Sequence, residues 1–315
     1  MTLAELPTGI RVVGICHPDW RGVRTAAHSF GVPVLESPDL DADGDTIIDR
    51  LKSADVTMVV IHGLPPGTES FMAKATDATI SIGAVHYSSP AQHGAGAAEW
   101  GQVTMLLNWL GQGTLHRLGF AKSGVAEVIR ALGHEAFFVG ARPPVIPDIT
   151  PLDLGPGTHV GIFSEMFWRK NTATQLGAVA LMPESTAHVL EPIPVPYLQP
   201  VPHKVHGVVP WSEFVAILGS VDLNLYVSLA ECLPLTPMES YRLGVPCLMS
   251  QTSVLFKDDR DLWERTTVGE LDNPAAIAEA SLDLMSNRDE TVALANAWLD
   301  EWDHRAAETW NDFVS

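Results

Sequence analysis

Basic residues are scarce in this chain. Its 315 residues include 19 lysines and arginines against 38 aspartates and glutamates, a formal net charge of −19. Proteins that hold nucleic acid or anionic lipid electrostatically carry a basic surface, so the charge disfavours both partners. A local basic patch formed by Arg21, Arg24, Lys122 and Arg130 leaves nucleic acid open. We interpret most of the acidity as a solubility trait.

Cysteine is equally rare. Cys16, Cys232 and Cys247 form no CxxC motif, which predicts buried thiols in a reducing compartment rather than a disulfide framework. The first residues lack the basic and apolar regions of a signal peptide. No apolar run approaches the roughly 18 residues that a membrane-spanning helix needs. We therefore expect a cytoplasmic protein.

Several catalytic signatures are missing as well. No GxGxxG follows the first apolar run, and no GxxxxGK[ST] is present, which disfavours dinucleotide and P-loop enzymes. There is no HExxH, no Cys/His quartet and no GxSxG, so a zinc enzyme or an α/β-hydrolase has little support. The acidic run at 41–45 is read as a solvated loop. We expect no metal and no cofactor.

The chain does contain an alternation of apolar runs and helical patterns, which predicts parallel α/β sheets. Strands are predicted at 11–16, 32–35, 56–62, 78–86, 135–139, 159–163, 186–190, 203–206 and 222–227. Helices are predicted at 23–30, 45–53, 99–111, 123–132, 171–181, 211–219, 274–286 and 288–313, with loops at 17–24 and 87–98.

A linker at 142–157, rich in proline and glycine, divides this alternation. It predicts two Rossmann-like domains at 1–150 and 151–287 that face each other across a cleft, and a final helix at 288–315 that packs back on the first domain. Ligands of such sheets bind beyond the carboxyl ends of the strands.

Two acids stand beside the last predicted strand of the second half. Glu231 follows the strand, and Glu239 is placed in the first turn of a helix expected to begin near Pro237. The helix amides between them suit a phosphate flanked by hydroxyl-rich groups, as in a nucleotide sugar. Read without context, Glu239 also fits an acid that merely answers the helix dipole.

The second half resembles the retaining, GT-B-fold glycosyltransferases of the group-1, or GT4, family. The similar residues are the strand at 222–228, the pair Glu231 and Glu239, the segment 243–246, Asp272 to Pro274, and, earlier, 161–171 and 206–211. In the first half, the similarity is limited to 54–63 and 84–86. The resemblance implies a GT-B fold: two Rossmann-like domains, with the donor in the second.

The resemblance also implies roles for individual residues of the second half. Glu239 would take the ribose hydroxyls, and Glu231 would face the donor sugar and favour a developing oxocarbenium ion. Backbone N–H groups at Leu233, Leu235 and Thr236 would bind the diphosphate, although the family's glycines are absent from this loop.

A second group would meet the phosphates or the donor from other strand exits. Lys170 and Arg169 would stabilise the leaving diphosphate, and Ser164 stands where the family carries an arginine. Either Arg169 substitutes for that cation or the diphosphate is held more weakly. His86, with His62 as its rival, would face the donor sugar.

The loop at 17–24 completes the predicted site. Arg21 and Gly22 would approach the reacting centre, where an arginine can contact phosphate or an anionic acceptor. The same residues also fit an ordinary turn with solvated arginines.

The function these features predict is metal-independent, retaining transfer of a sugar from a nucleotide-diphosphate donor. The acceptor stays open between a small molecule, a glycan and a lipid-linked glycan. Two alternatives are a catalytically weak sugar-nucleotide-binding subunit of a complex and a GT-B sugar-nucleotide epimerase.

Overall fold

The computed structural model of the chain describes residues 6, 9–95, 97–143 and 145–315, without the side chains of residues 93–100. The chain divides into two compact units. One comprises Met1–Pro144 with Trp302–Ser315, and the other Val145–Glu301. The three cysteines are buried thiols, as predicted.

The first unit is a parallel sheet of six strands in the order β2-β1-β3-β4-β5-β6. The strands are β1 Val12–Cys16, β2 Val34–Glu36, β3 Met58–His62, β4 Ser81–His86, β5 Arg117–Phe120 and β6 Phe137–Phe138. The helices are α1 Arg21–His28, α2 Leu40–Ser53, α3 Thr68–Asp77, α4 Pro90–Ala95, α5 Ala97–Gln112 and α6 Ser123–Ala131. Every residue of β3 is buried, as expected for a parallel strand covered on both faces.

The second unit is also a parallel sheet of six strands, in the order β12-β11-β10-β7-β8-β9. Its strands are β7 Thr158–Ile162, β8 Ser185–Val189, β9 His203–Val205, β10 Leu223–Tyr226, β11 Cys247–Ser250 and β12 Thr267–Val268. Its helices are α7 Thr172–Leu181, α8 Trp211–Leu218, α9 Leu235–Arg242, α10 Arg260–Thr266 and α11 Pro274–Ser286. Short 3-10 helices lie at Trp168–Lys170 and Pro196–Leu198.

The last helix, α12, runs from Arg288 to Val314, so its residues from 302 onward belong to the first unit. Trp302 Nε1 donates to the carbonyl of Ala141 at 3.0 Å. Phe313 is fully buried beside two strand glycines. A Cβ on Gly119 would lie 3.2 Å from the Phe313 ring and 2.7 Å from Val139 Cγ2, so the close approach of this ring requires glycine.

Two predicted loops are wrong. Residues 87–98 contain the helix Pro90–Ala95 and the start of α5 at Ala97. The acidic run at 41–45 lies inside α2, whose amino end is capped by the Asp39 side chain accepting from the amide of Asp41. Acidic residues in a first turn stabilise a helix through its dipole, which is why this run is helical and not a loop.

Candidate active site

The turn that presents Arg169 and Lys170 is fixed by two side chains, that of Asn171 just before α7 and that of Gln175 within it. Asn171, with φ of 55°, occupies the left-handed region, and its Nδ2 donates to the carbonyls of Val227 at 3.2 Å and Leu271 at 2.6 Å. Gln175 Nε2 donates to the carbonyl of Lys170 at 2.7 Å, and its Oε1 accepts from the amide of Val227 at 3.0 Å. The two basic residues are therefore anchored to the carboxyl end of β10.

Glu231 lies in the irregular segment 227–234 after β10, where both cations reach it. Lys170 Nζ and Arg169 Nη1 contact the same carboxylate oxygen, Oε1, the arginine at 3.1 Å. The side chains of Glu231 and Lys170 are 8% and 14% exposed. Burial lowers the pKa of Lys170, and the neighbouring Glu231 charge opposes that shift. The structure thus brings together three of the predicted site residues in one buried ionic cluster.

Tyr226, the last residue of β10, belongs to this cluster and was missed by the sequence reading. Lys170 Nζ donates to its hydroxyl at 2.6 Å and lies 4.6 Å from the ring centre. Burial holds the pKa of Tyr226 well above 10, so the phenol stays neutral. Its only sequence signal was its position at a strand exit.

The amino end of α9 lies next to this cluster in the chain. The helix begins at Leu235, and no side chain caps it at Pro234. The first N–H groups of a helix have no intrahelical acceptor, so the amides of Leu235 and Thr236 are suited to an anion. Leu233 precedes this turn. The helix starts two residues before Pro237, near which it was expected, and Pro237 lies in its first turn, as predicted.

This earlier start places Glu239 in the second turn of α9, not the first, which weakens the explanation by the helix dipole. The carboxyl group is buried, with 4% of the residue exposed. Trp211 Nε1, at the start of α8, donates to Glu239 Oε1 at 3.0 Å. Burial raises the pKa of Glu239, and the indole hydrogen bond opposes that rise. Trp211 was not predicted as a site residue.

Ser164 stands at the exit of β7 without contributing charge. Its Oγ lies 3.5 Å from the hydroxyl of Thr172. The amide of Met166, in the same loop, donates to Glu191 Oε2 at 3.0 Å. The cations after this strand are Arg169 and Lys170 of the 3-10 helix Trp168–Lys170.

A row of three histidines crosses β7, β8 and the residue after β9. His159 Nδ1 and His188 Nε2 are 3.0 Å apart, and His188 Nδ1 and His206 Nε2 are 2.8 Å apart. His159 Nε2 contacts the carbonyl of Gly155 at 3.2 Å. Burial lowers the pKa of His188 to about 4, and His206 contributes to this. Each of these contacts joins two rings, and among the described residues the three histidines do not form a metal-binding group.

The two histidine candidates of the first unit have different surroundings. His62 is fully buried, its Nδ1 lies 2.8 Å from the Tyr87 hydroxyl, and it stacks on Phe30 with ring centres 5.4 Å apart. Burial lowers its pKa to about 3, so it stays neutral. His86 ends β4 and meets the edge of Phe120 at 5.9 Å. These surroundings favour a structural role for His62.

Arg21 and Gly22 do not lie in a loop. Helix α1 begins at Arg21, so both residues are in its first turn, and the expected glycine loop is wrong. A Cβ on Gly22 would meet no atom within 4 Å, so no neighbour requires glycine there. Loop residues after β1 are limited to the segment from His17 to Trp20.

The described part of the chain has no helix with both the length and the hydropathy of a membrane span. Among those same residues, no three side chains of histidine, cysteine, aspartate or glutamate converge as a metal site would require.

Comparison with solved structures gives strong matches over nearly the whole chain. Anabaena Alr3699/HepE in complex with UDP and glucose matches with a TM-score of 0.70 at 12% identity, covering 96% of this chain and 100% of that one. Sucrose-phosphate synthase from Thermosynechococcus elongatus matches with a TM-score of 0.66 at 10% identity, covering 96% and 99%. A UDP-forming α,α-trehalose-phosphate synthase from Burkholderia xenovorans matches with a TM-score of 0.63 at 11% identity, covering 97% and 99%.

No protein-family profile matches the chain, and no curated protein matches it in sequence. The solved structures are GT-B glycosyltransferases. The expected fold class is therefore confirmed: two six-stranded parallel α/β sheets in one chain, with the fold of the GT-B glycosyltransferases.

Proposed function

We propose that this protein is a glycosyltransferase that takes its sugar from a uridine-diphosphate donor. The observation that carries the proposal is the buried cluster of Arg169, Lys170 and Glu231 beside the uncapped start of α9. Adjacent cations and helix amides suit a diphosphate. UDP is favoured among nucleotides because the Anabaena protein was solved with UDP and with UDP-glucose, and the Burkholderia synthase is described as UDP-forming.

Each group of the second unit then has a role. Arg169, Lys170 and the amides at Leu233, Leu235 and Thr236 hold the diphosphate. Glu239 accepts hydrogen bonds from the ribose hydroxyls, which a buried carboxylate does well because it has two acceptor oxygens and little competing water.

The chemistry we propose is displacement with retention. The bond between the sugar C1 and the phosphate oxygen breaks, and its electron pair leaves with the diphosphate. The acceptor oxygen bonds to C1 on the same face and gives its proton to the departing phosphate. Arg169 and Lys170 stabilise the charge on the leaving group, which supports a reaction without a metal. Glu231 accepts hydrogen bonds from the hydroxyl groups of the donor sugar. In the first unit, His86 stays a candidate for a sugar contact, and Arg21 and Gly22 stay candidates for the phosphate or acceptor.

Nucleotide binding is the first test. Thermal melting with UDP, GDP, ADP, CDP and dTDP should show the largest stabilisation with UDP, since a ligand of the folded state raises apparent stability. Glu239→Gln should reduce that shift, and equal shifts for all five nucleotides would contradict a uridine donor.

Catalysis is the second test. Purified protein with UDP-glucose should release UDP slowly by hydrolysis and faster with an acceptor, with and without EDTA, and the anomeric configuration of the product should match that of the donor. Tight UDP binding with no release of UDP would instead fit a non-catalytic binding subunit. Loss of activity in EDTA that added metal restores would refute metal independence.

A further inference from the structure

One carboxylate oxygen holds both cations of the candidate phosphate site. Glu231 Oε1 accepts from Arg169 Nη1 at 3.1 Å and from Lys170 Nζ. We propose that Glu231 is the resident counter-ion of this site, and that its displacement makes the protein favour a sugar nucleotide over the nucleoside diphosphate left after transfer. This inference rests on the proposed function.

The first step is competition for the same donors. An ammonium group has three N–H donors, and Lys170 directs one to Tyr226 and another to Glu231. Arg169 directs Nη1 to Glu231 and to the carbonyl of Ala230. A diphosphate oxygen that binds both cations at the point where they meet must take the place of Glu231 Oε1.

The second step is which partner moves. The turn with Arg169 and Lys170 is held by Asn171 and Gln175, and the carbonyl of Arg169 accepts from the amide of Leu229 at 2.7 Å. Glu231 lies in segment 227–234, outside any helix or strand, and rotation about its side-chain bonds is enough to take the carboxylate away from the cations. The carboxylate therefore leaves, while the cations stay.

The third step is what the displaced carboxylate meets. A carboxylate that loses its cations in a largely buried place is costly unless new donors replace them. The hydroxyl groups of a donor sugar supply such donors, and UDP alone does not. Glu231 also has a hydrogen bond with the side chain of Tyr226, which is available in both complexes. The remaining cost of displacing Glu231 is lower when UDP-glucose binds, because its sugar supplies donors, than when UDP binds. Glu231 then acts as a specificity-determining residue that promotes release of the product.

The test compares dissociation constants of UDP and UDP-glucose by isothermal titration calorimetry for wild type and Glu231→Gln. The amide keeps the size of the side chain but not its charge. We expect UDP to bind about tenfold more tightly to the variant, within the usual range of coupling between sites, and UDP-glucose to change little or to weaken. Equal changes for both ligands, or weaker UDP binding, would overturn the proposal.

The control is Glu191→Gln, which removes one negative charge after the strand β8, next to β7 in the same sheet, and keeps an oxygen to accept from the amide of Met166. Its ratio of UDP to UDP-glucose affinity should match wild type. A shift as large as that of Glu231→Gln would show that general charge, rather than the counter-ion, sets the ratio.

Inorganic pyrophosphate separates this proposal from the proposed function. Pyrophosphate should stabilise Glu231→Gln against heat more than it stabilises wild type, and an equal effect would overturn the counter-ion exchange even where no nucleotide binds. If UDP and the other nucleotides do not bind but pyrophosphate shows the expected difference, only the uridine donor is refuted.

If Glu231→Gln does not fold, Glu231→Asp is the second variant, because it keeps the charge on a shorter side chain. It should shift the ratio of UDP to UDP-glucose affinity in the same direction as expected for Glu231→Gln, and an unchanged ratio overturns the proposal.

Discussion

Replacing Trp211 with phenylalanine should separate ribose recognition from phosphate binding. The change keeps an aromatic ring at the start of α8 and removes the N–H that donates to Glu239 Oε1 at 3.0 Å. That hydrogen bond orients a buried carboxyl group and opposes the rise of its pKa caused by burial. In the proposed function, Trp211 would thus be a positioning residue that acts through Glu239.

The expected size follows from the charge on the acceptor. A hydrogen bond to a charged group contributes about 1.5–3 kcal/mol. The variant loses this bond in the free protein as well, so only the part that orients the carboxylate for the ribose changes the binding free energy. We take that part as about half. UDP affinity should therefore fall about tenfold, which corresponds to about 1.4 kcal/mol. The pKa of Glu239 should rise further, so the loss should be larger at pH 6 than at pH 8. Pyrophosphate, which has no ribose, should bind unchanged.

Calorimetric titration of UDP and pyrophosphate at both pH values measures these effects. Trp263→Phe is the matched control, since Trp263 Nε1 has no hydrogen-bond partner among the residues described. Tighter UDP binding by Trp211→Phe would refute the reasoning, because it would mean that the indole competes with the ribose for Glu239. An equal loss for UDP and pyrophosphate would show a general disturbance of the second unit.

Three further predictions concern stability and are measured by urea unfolding. Glu239→Gln should stabilise the fold, because burial raises the folded pKa of Glu239 above 4.5 and wild type therefore loses stability as pH rises and the carboxyl group ionises. The free energy of unfolding of the variant relative to wild type should increase from pH 4 to pH 8. A difference that stays constant over this range would contradict a cost of burying the charge. His188, with a folded pKa of about 4, should make wild type less stable as pH falls from about 6.5 to 4, by up to about 2 kcal/mol after allowance for solvent screening, and His188→Gln should flatten that slope. Phe313→Ala should cost about 3–5 kcal/mol because its ring is fully buried, whereas Leu294→Ala on the same helix, 42% exposed, should cost within about 0.5 kcal/mol; similar costs would contradict the packing of the last turns.

The sequence predicted elements whose local signals are strong. Helix α11 spans Pro274 to Ser286, as predicted, because Asn273 caps it through the amides of Ala275 and Ala276 and proline suits its first turn. The apolar run at 56–62 became the fully buried β3. Apolar content and caps act within a few residues, so one sequence suffices to see them.

Elements that depend on distant partners were missed. Strand β5, Arg117–Phe120, has four residues with a glycine among them, and it exists because Gly83 to His86 of β4 pair with it residue by residue. Helix α3 starts after Gly67, whose φ of 77° turns the chain, and its buried face is visible only once the sheet is in place. Short strands and polar helices gain their stability from tertiary contacts, which a local pattern does not carry.

In the candidate site, too, some residues could be predicted from the sequence and others could not. The acids and cations at strand exits were predictable as residue types, since a parallel sheet gathers its carboxyl ends at one edge. Their partners were not: Tyr226 lies 56 residues from Lys170 in the chain, and Trp211 lies 28 from Glu239. Both are aromatic residues in apolar segments, where packing in the core is the ordinary reading.

The position of Arg169 bears on how the proposed site would hold a phosphate, since Ser164 stands where the resembling family carries an arginine. Arg169 and Lys170 are consecutive, yet their charged groups converge on one oxygen because the 3-10 turn and the left-handed Asn171 redirect the chain between them and α7. A planar guanidinium offers several donors in a fixed plane, whereas an ammonium is a point charge. Two cations of different geometry at one point can hold a phosphate oxygen and still leave donors for its neighbour. In the proposed function, Arg169 would therefore substitute for the missing cation, and Glu231 would supply the opposite charge while no diphosphate is bound.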